Sequence, residues 1–398
     1  MEQSARKVSY IFSEELAKVS SLLPSNRGRS IMVHQLVAAF QIFQRRAGEG
    51  AIVASVLRPS VASREALQAF HDEDYLDYVL DPLPPNKRPN HDTGKEFGIE
   101  DDCPWFRGLN VYVPAVAGAT LAAAETLISG RADIAIAWDG GRHHAQKSSA
   151  SGFCYVADIP LAIMLLKKAK SPKRPRIMYL DLDLHWSDGV SKPLSNQHPP
   201  SRILTLSVHH TAPGFFPADQ LAHLTSEDTT DPYTLSIPLA RGASASTFAT
   251  IWPSIEGIRG AFMPDFVVVQ CGVDGLAGDP MATWNWSLAV EEEGSLGWCI
   301  QKVLSWNHRT LLLGGGGYHS ANAARAWTYL TLLAAGKQPE TEMPIPEHGS
   351  WPRYAPSFTM EIEKGSMPDE NQQDYLQMVN ERFAIIGRRI RVDSTNDI

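Results

Sequence analysis

Cysteine is scarce in this sequence. There are four in 398 residues, Cys103, Cys154, Cys271 and Cys299, and no two form a CxxC pair. So low a count argues against a secreted disulfide framework and for a reducing compartment. Long apolar runs are also missing: no stretch reads as the ~20 apolar residues that a membrane-spanning helix needs. The opening residues, MEQSARKVSYIFSEELAK, hold no apolar core of the kind a secretory signal carries. Positive charge is short as well, with 36 Lys and Arg against 44 Asp and Glu, a net charge of −8 and a pI of about 5.9. This balance argues against a broad electrostatic footprint on nucleic acid. It leaves room for an acidic mouth facing a lysine-rich partner. The expectation is a soluble intracellular protein, without direct sequence-specific nucleic-acid binding and without membrane association.

Hydrophobic residues make up 43% and charged residues 20% of the chain, enough for a sizeable core. A strand is expected over Val8–Phe12 and helices over His34–Phe43 and Glu65–Phe70. Residues 81–101 are rich in Pro, Asn, Asp and Gly, which is loop chemistry. From there a rhythm sets in. The expected order is helix Val116–Ile128, apolar run Asp133–Trp138, helix Ile159–Ala169, strand Arg176–Leu182 and strand Ile203–Val208. Helix Ala245–Arg259, strand Phe266–Cys271, helix Ala289–Ser305, strand Thr310–Leu313, helix Ser320–Ala335 and a late helix over Gln372–Ile386 follow. Apolar strands alternating with helices imply a parallel sheet covered on both faces. One domain over 1–398 is expected, with a core of about 8–386 and a short tail over 387–398.

In such sheets, ligands bind beyond the carboxyl ends of the strands. The unusual polar residues fall there: DGGRHHAQK after Trp138, DLDLHWSDG after the Arg176 strand, VHH at the end of the Ile203 strand, CGVDGLAGDP after Phe266 and GGGGYHS after Thr310. Residues two apart on a strand share a face, so Asp181, Asp183 and His185 are expected to point one way. Two carboxylates and an imidazole brought together call for a cation. Asp274 adds a third carboxylate, and oxygen and nitrogen donors without thiolate suit Zn²⁺ or Fe²⁺. A single such Asp would be read more simply as a helix cap; the D-x-D-x-H run with a partner Asp favours metal. His143 and His144 follow two glycines, and imidazoles supply acid–base chemistry near neutral pH when carboxylates fix their tautomers. Asp181 and Asp188 are the candidates for that. Tyr318 follows four glycines, and its phenol could stabilise an oxyanion.

These segments resemble the zinc-dependent class I histone deacetylases. The likeness runs from about Val8 to about Ile386 and rests on GGRHHAQKSSASGFCY, YLDLDLHWSDGV, LSVHHTAPGFFP, CGVDGLAGDPM and LLLGGGGYHSANAARAW. SIMVHQLVAAF, the DCP at Asp102–Pro104 and Met281 look most like the type 8 branch. The resemblance implies an arginase/deacetylase-like α/β fold with a central, mostly parallel eight-stranded sheet. It implies hydrolysis of N6-acetyl-lysine in histones or other proteins to lysine and acetate by metal-activated water.

On the same resemblance, zinc is held by Asp183, His185 and Asp274. His143 and His144 form the acid–base pair, supported by Asp181 and Asp188, and Tyr318 polarises the carbonyl. A structural potassium ion sits on Asp181, Asp183, His185, Ser207 and Val208. Gly152, Phe153, Phe216 and Gly316 surround the lysine stem, Met281 lines the rim and Asp102 holds the substrate backbone. Arg29 stands at an acetate-release channel. The implied partners are acetylated histone tails, cohesin subunits and hydroxamate-type inhibitors. The implied setting is chromatin regulation and transcriptional repression in the nucleus, with some protein in the cytoplasm. Read without the motif, Phe153 and Phe216 would be ordinary core aromatics.

The chain departs from the family pattern at several positions. Trp186-Ser187 replaces the usual His-Gly. PADQLAHLTSEDTTDPYT replaces a glycine-rich loop after Phe216. Arg142 stands where an aromatic or small residue usually precedes the tandem histidines. Ile31 replaces a serine of the type 8 branch, so regulation through that hydroxyl is not expected. Two rival readings are an acetylpolyamine amidohydrolase on the same fold, which the Asp102 anchor argues against, and a non-enzymatic scaffold, which the complete ligand set argues against. The basic run Lys167–Arg176 reads equally as a nuclear import signal and as a helix end entering a strand.

Overall fold

The computed structural model describes residues 6–43, 52–87, 94–195 and 201–396. Residues 88–93 of the loop read from the sequence lie outside that range. Eight strands form one sheet: β1 (Arg6–Ile11), β2 (Ile52–Leu57), β3 (Ile134–Ala137), β4 (Ile177–Asp181), β5 (Ile203–His210), β6 (Thr234–Leu239), β7 (Phe266–Gln270) and β8 (Arg309–Leu313). Their order is β2-β1-β3-β8-β7-β4-β5-β6, and every pairing is parallel. The helices are α1 (Glu14–Ser20), α2 (Arg29–Ala39), α3 (Arg64–Leu67), α4 (Glu73–Leu80), α5 (Leu109–Ile128), α6 (Asp158–Lys167), α7 (Asp188–Leu194), α8 (Ala245–Phe262), α9 (Leu296–Ser305), α10 (Ser320–Ala334) and α11 (Gln373–Asn396).

Strand alternation divides the interior between the two faces of the sheet. Met178 and Leu180 of β4, Val267 and Val269 of β7 and Ile134 and Ile136 of β3 pack in one cluster. Their neighbours Ile177 and Tyr179, Phe266 and Val268, and Ala135 and Ala137 pack in the other. Both faces are covered, which is why these strands read as unbroken apolar runs.

The two strands with no counterpart in the sequence reading, β2 and β6, are the two edges of the sheet. One side of an edge strand has no ladder partner, so it tolerates a residue without a backbone N–H, such as Pro238 within the fully buried β6. Helix boundaries also differ from expectation. α2 starts five residues before His34, after Gly28 in the left-handed conformation, and stops at Ala39, ahead of Gln41 at positive φ. α9 starts at Leu296 rather than Ala289, because the Ser295 side chain accepts from the Trp298 N–H and sets the cap there. α11 runs to Asn396, ten residues past Ile386, with Ile386 and Ile390 both buried against the body. α5 begins at Leu109, carries Pro114 inside it and, contrary to expectation, is long and apolar enough to cross a membrane. It packs beside α6 and β3 with 61% of its apolar window buried, as a core helix does.

Candidate active site

The central strands β3, β8, β7 and β4 are adjacent, with β5 beside them, and their carboxyl ends deliver all five polar segments to one rim. β4 ends at Asp181, but the alternation of faces runs on: Leu182 and Leu184 pack with Met178 and Leu180, the Leu182 N–H donates to the Gln270 carbonyl and the Leu184 carbonyl accepts from the His210 N–H. Side-chain acceptors fix the segment further. The Asp183 N–H donates to Asp181 Oδ1 at 2.9 Å and the His185 N–H to Asp183 Oδ1 at 3.1 Å, while Leu182 and Leu184 stay fully buried.

Asp183, His185 and Asp274 are buried and offer ligand atoms that all lie within 4.8 Å of one another. His185 Nδ1 is 2.9 Å from Asp274 Oδ2 and 3.3 Å from Asp183 Oδ1. Burial and the neighbouring Asp183 push the Asp274 carboxyl up to about 7. Burial opposes charge on His185, yet the two carboxylates raise it to about 10. Two carboxylates crowded around one imidazole in a dry site are the donor set a divalent cation neutralises.

The tandem histidines lie alongside, with ring centroids 4.0 Å apart. His143 Nδ1 donates to Asp181 Oδ2 at 2.8 Å and His144 Nδ1 to Asp188 Oδ1 at 2.6 Å. The carboxylates need these protons, so both Nε2 atoms are left to face the site. The rings differ in charge. Burial works against a proton on His143, but Asp183 and Asp181 outweigh it and lift the ring to about 9. Burial and the neighbouring His143 hold His144 below the ordinary histidine range.

Tyr318 closes the rim from the glycine turn after β8. Asp279 accepts the Tyr318 N–H at 2.6 Å and the His319 N–H at 3.0 Å, which fixes that turn. Burial and the two carboxylates Asp274 and Asp183 push the phenol well above its usual range, so it stays a donor. The Gly316 N–H donates to Asp183 Oδ2 at 2.8 Å, and a side chain at Gly316 would run into the Asp274 carboxylate. Phe153, held at φ 62°, meets Tyr318 edge-on at 5.4 Å. Phe216, 42% exposed, meets His144 edge-on at 4.9 Å. A Cβ on Gly152 would collide with the His144 ring.

Three other expected residues lie at the periphery. Asp102 is exposed and accepts the Gly152 N–H at 2.9 Å; Met281 is 39% exposed, beside Asp279. Arg29 is buried, and its Nη1 donates to the carbonyls of Gly315 and Gly317 at 3.1 and 2.7 Å. Ser207 sits in register opposite Asp181, with Val208 next to it on β5. His209 Nε2 is 2.8 Å from the Ala222 carbonyl, which makes it the donor, so Nδ1 accepts from Ser207 Oγ at 2.9 Å. The Ser207 lone pairs are thereby left free.

Sequence reading missed several residues of the site. Gln270, at the end of β7, donates to Asp183 Oδ2 at 2.7 Å and accepts from the Gly272 N–H at the same distance. Tyr179 donates to Asp181, and Gln146 donates to Asp188 Oδ2 at 2.8 Å. Phe215 stacks on His185 with centroids 5.1 Å apart and planes 12° from parallel. The one signal available was Gln270 itself, an amide at the end of an otherwise apolar strand. Trp186 fills the departure noted above: it is buried, and its Nε1 donates to Ser236 Oγ at 3.1 Å.

A histone deacetylase domain model matches residues 23–334. Histone deacetylase 8 of Danio rerio is 35% identical over 382 residues, covering 94% of this chain and 93% of that protein. Histone deacetylase 8 of Xenopus tropicalis is 36% identical over 381 residues, with 95% and 97% covered. Histone deacetylase 19 of Arabidopsis thaliana is 33% identical over 377 residues, with 94% and 71% covered. With that domain spanning most of its length and such relatives matched nearly end to end, the chain belongs to the class I histone deacetylase family.

Proposed function

We propose that this chain is a zinc-dependent protein lysine deacetylase that hydrolyses N6-acetyl-lysine to lysine and acetate. Its family supports a hydrolase of acetyl-lysine amides, with histones among the substrates. The observation that carries the mechanism is the buried Asp183–His185–Asp274 group flanked by two His–Asp pairs. These donors fit Zn²⁺ or Fe²⁺, which would supply Lewis acidity for activating water and polarising the acetyl carbonyl.

The protein's own groups do the rest. His144, neutral, with its Nδ1 proton held by Asp188, takes the proton of the attacking water on Nε2. The Tyr318 phenol donates to the carbonyl oxygen as negative charge gathers there. The C–N bond then breaks, and a protonated histidine of the pair gives its proton to the departing lysine amine. Phe153 and Phe216 hold the lysine stem between aromatic faces. Asp102 anchors the substrate backbone at the rim, with Met281 beside it. Asp181, Asp183, His185, Ser207 and Val208 would hold potassium under the site. The catalytic domain is read as running from about residue 8 through α11, past the expected limit at 386, because Ile390 packs on the body.

Nuclear residence is part of the same proposal. The exposed residues Lys167, Lys168, Lys170, Lys173 and Arg174, in the connection from α6 to β4, are available to an import receptor. The test of function is lysine release from an acetyl-lysine peptide, with and without a hydroxamate. Hydroxamate-sensitive turnover on the peptide, exceeding that on acetylspermidine, is expected. Turnover on acetylspermidine alone would replace the proposal with the polyamine reading.

A further inference from the structure

A cavity of about 360 Å³ opens beside the short segment 211–216, the same segment that walls the active site with Phe215 and Phe216. Its lining comes from the ends of β5 and β6 (Thr211, Leu239), the loop after Phe216 (His223, Leu224) and the lead into α11 (Glu370, Tyr375). That loop is the one in which this chain departs from the family pattern. The cavity is held open by fixed backbone. Asn371 Oδ1 accepts the Ala240 N–H at 2.8 Å, and its Nδ2 donates to the Ala240 carbonyl at 3.3 Å. The Tyr375 hydroxyl donates to the Pro238 carbonyl, and the Glu370 N–H donates to the Arg241 carbonyl at 2.9 Å. The lead into α11 is thereby clamped to the end of β6, with Glu370 at the cavity's edge.

The charges around the cavity are unevenly spent. Asp369 accepts from the hydroxyls of Ser244 and Thr247, and Glu227 pairs with Arg382 at 3.5 Å. The Glu370 carboxylate is exposed and, among the described residues, has neither an ion pair nor a hydrogen bond. Below it the walls are largely apolar, from Leu224, Leu239 and the Tyr375 ring. A lone carboxylate above apolar walls matches a cation carried on a methylene stem, which is the build of arginine and lysine. The location decides what presents that cation. Thr211 follows His210, whose ring meets Phe215 edge-on at 4.6 Å, and Phe215 stacks on His185. A peptide that threads its acetyl-lysine past Phe216 therefore lays its neighbouring residues along this side of the rim. Acetylation removes the charge of the target lysine alone; basic neighbours keep theirs.

We propose that this cavity is a specificity subsite that takes the side chain of an arginine or lysine lying within about three residues of the acetyl-lysine, a reach of about 10 Å along an extended chain, with Glu370 as its counter-ion. The proposal rests on the deacetylase reading of the central site for what is threaded there, and deepens it by naming the sequence context that is read.

The test uses the metal-loaded protein and peptides with a central acetyl-lysine, in which Arg, Ala or Glu is placed in turn at each of the three positions on either side. Both kcat/KM and binding, by fluorescence anisotropy, are measured. Arg is expected to exceed Ala by about 5- to 20-fold at one position, through KM, with Glu the poorest there. Glu370→Gln should remove about 3- to 5-fold of that ratio, and Glu370→Lys should make Glu the preferred residue at the same position. Equal binding of the Arg and Ala peptides at every position would overturn the subsite. So would an Arg preference unchanged in both variants, which would assign it to another acid of the rim such as Asp102. Peptides bound with the expected preference, lost in Glu370→Gln, but never hydrolysed would sink the proposed function and leave the subsite standing.

Discussion

His144 and Asp188 share a hydrogen bond of 2.6 Å, and Asp188 is pinned in turn by Gln146, which also donates to the His144 carbonyl at 2.8 Å. The carboxylate thus has one orientation and the ring one tautomer. Asp188→Asn would present an N–H or a weaker acceptor to Nδ1. Steady-state kinetics should show a fall in kcat of about 10²-fold, approaching the 10²–10⁴ of a lost general base, with KM little changed. An unaltered kcat would remove His144 from the role of base.

Tyr318 is held by its backbone and stays protonated, so its phenol is a ready donor. Tyr318→Phe should cost about 10²–10³ in kcat, as for a removed oxyanion-hole donor. Metal content measured by elemental analysis should remain at wild-type level. Loss of metal in that variant would mean that the hydroxyl organises the ligands instead.

Gly316 lies so close to the ligand pair that its N–H donates to Asp183 and a Cβ would meet Asp274. Gly316→Ala should therefore shift a ligand carboxylate and weaken metal binding by about 10- to 100-fold, read by competition with a fluorescent chelator. The melting temperature of the metal-free protein should move little. Unchanged metal affinity would show that the turn relaxes around the methyl.

His71 sets a pH limit on stability. Its Nδ1 donates to the Lys147 carbonyl at 3.0 Å and its Nε2 accepts the Ala157 N–H at 2.9 Å, so a second proton has no acceptor. Burial holds the ring down to about 4, against 6.5 in the unfolded chain. Below 6.5 the unfolded chain takes up a proton that the folded one refuses. The contribution, about 3 kcal/mol, is fully present above pH 6.5 and is lost as the pH falls through 4. Urea unfolding at pH 7.5, 5.5 and 4.5 should show this slope flattened in His71→Gln. An equal slope in both proteins would assign the acid sensitivity to other groups, such as His209, which burial also holds near 4.

The sequence alone determined the alternation of strand and helix, the rim at which the chemistry collects and the residues that meet there. Those signals are local: an apolar run reports burial on both faces, and Asp-x-Asp-x-His places three donors within five positions whatever lies around them. Tertiary structure decided the remainder. The edge strands β2 and β6 depend on their neighbours, because an edge carries a weaker apolar signature. The meeting of Asp183 and His185 with Asp274, and the hold of Gln270 on Asp183, come from β7 and the loop after it, which only the sheet order brings alongside. The stacking of Phe215 on His185 and the grip of Asp279 on Tyr318 join residues far apart in the chain. Sequence patterns record what each residue buries, but not which distant partner lies against it, and only the packing of the two layers on the sheet fixes that.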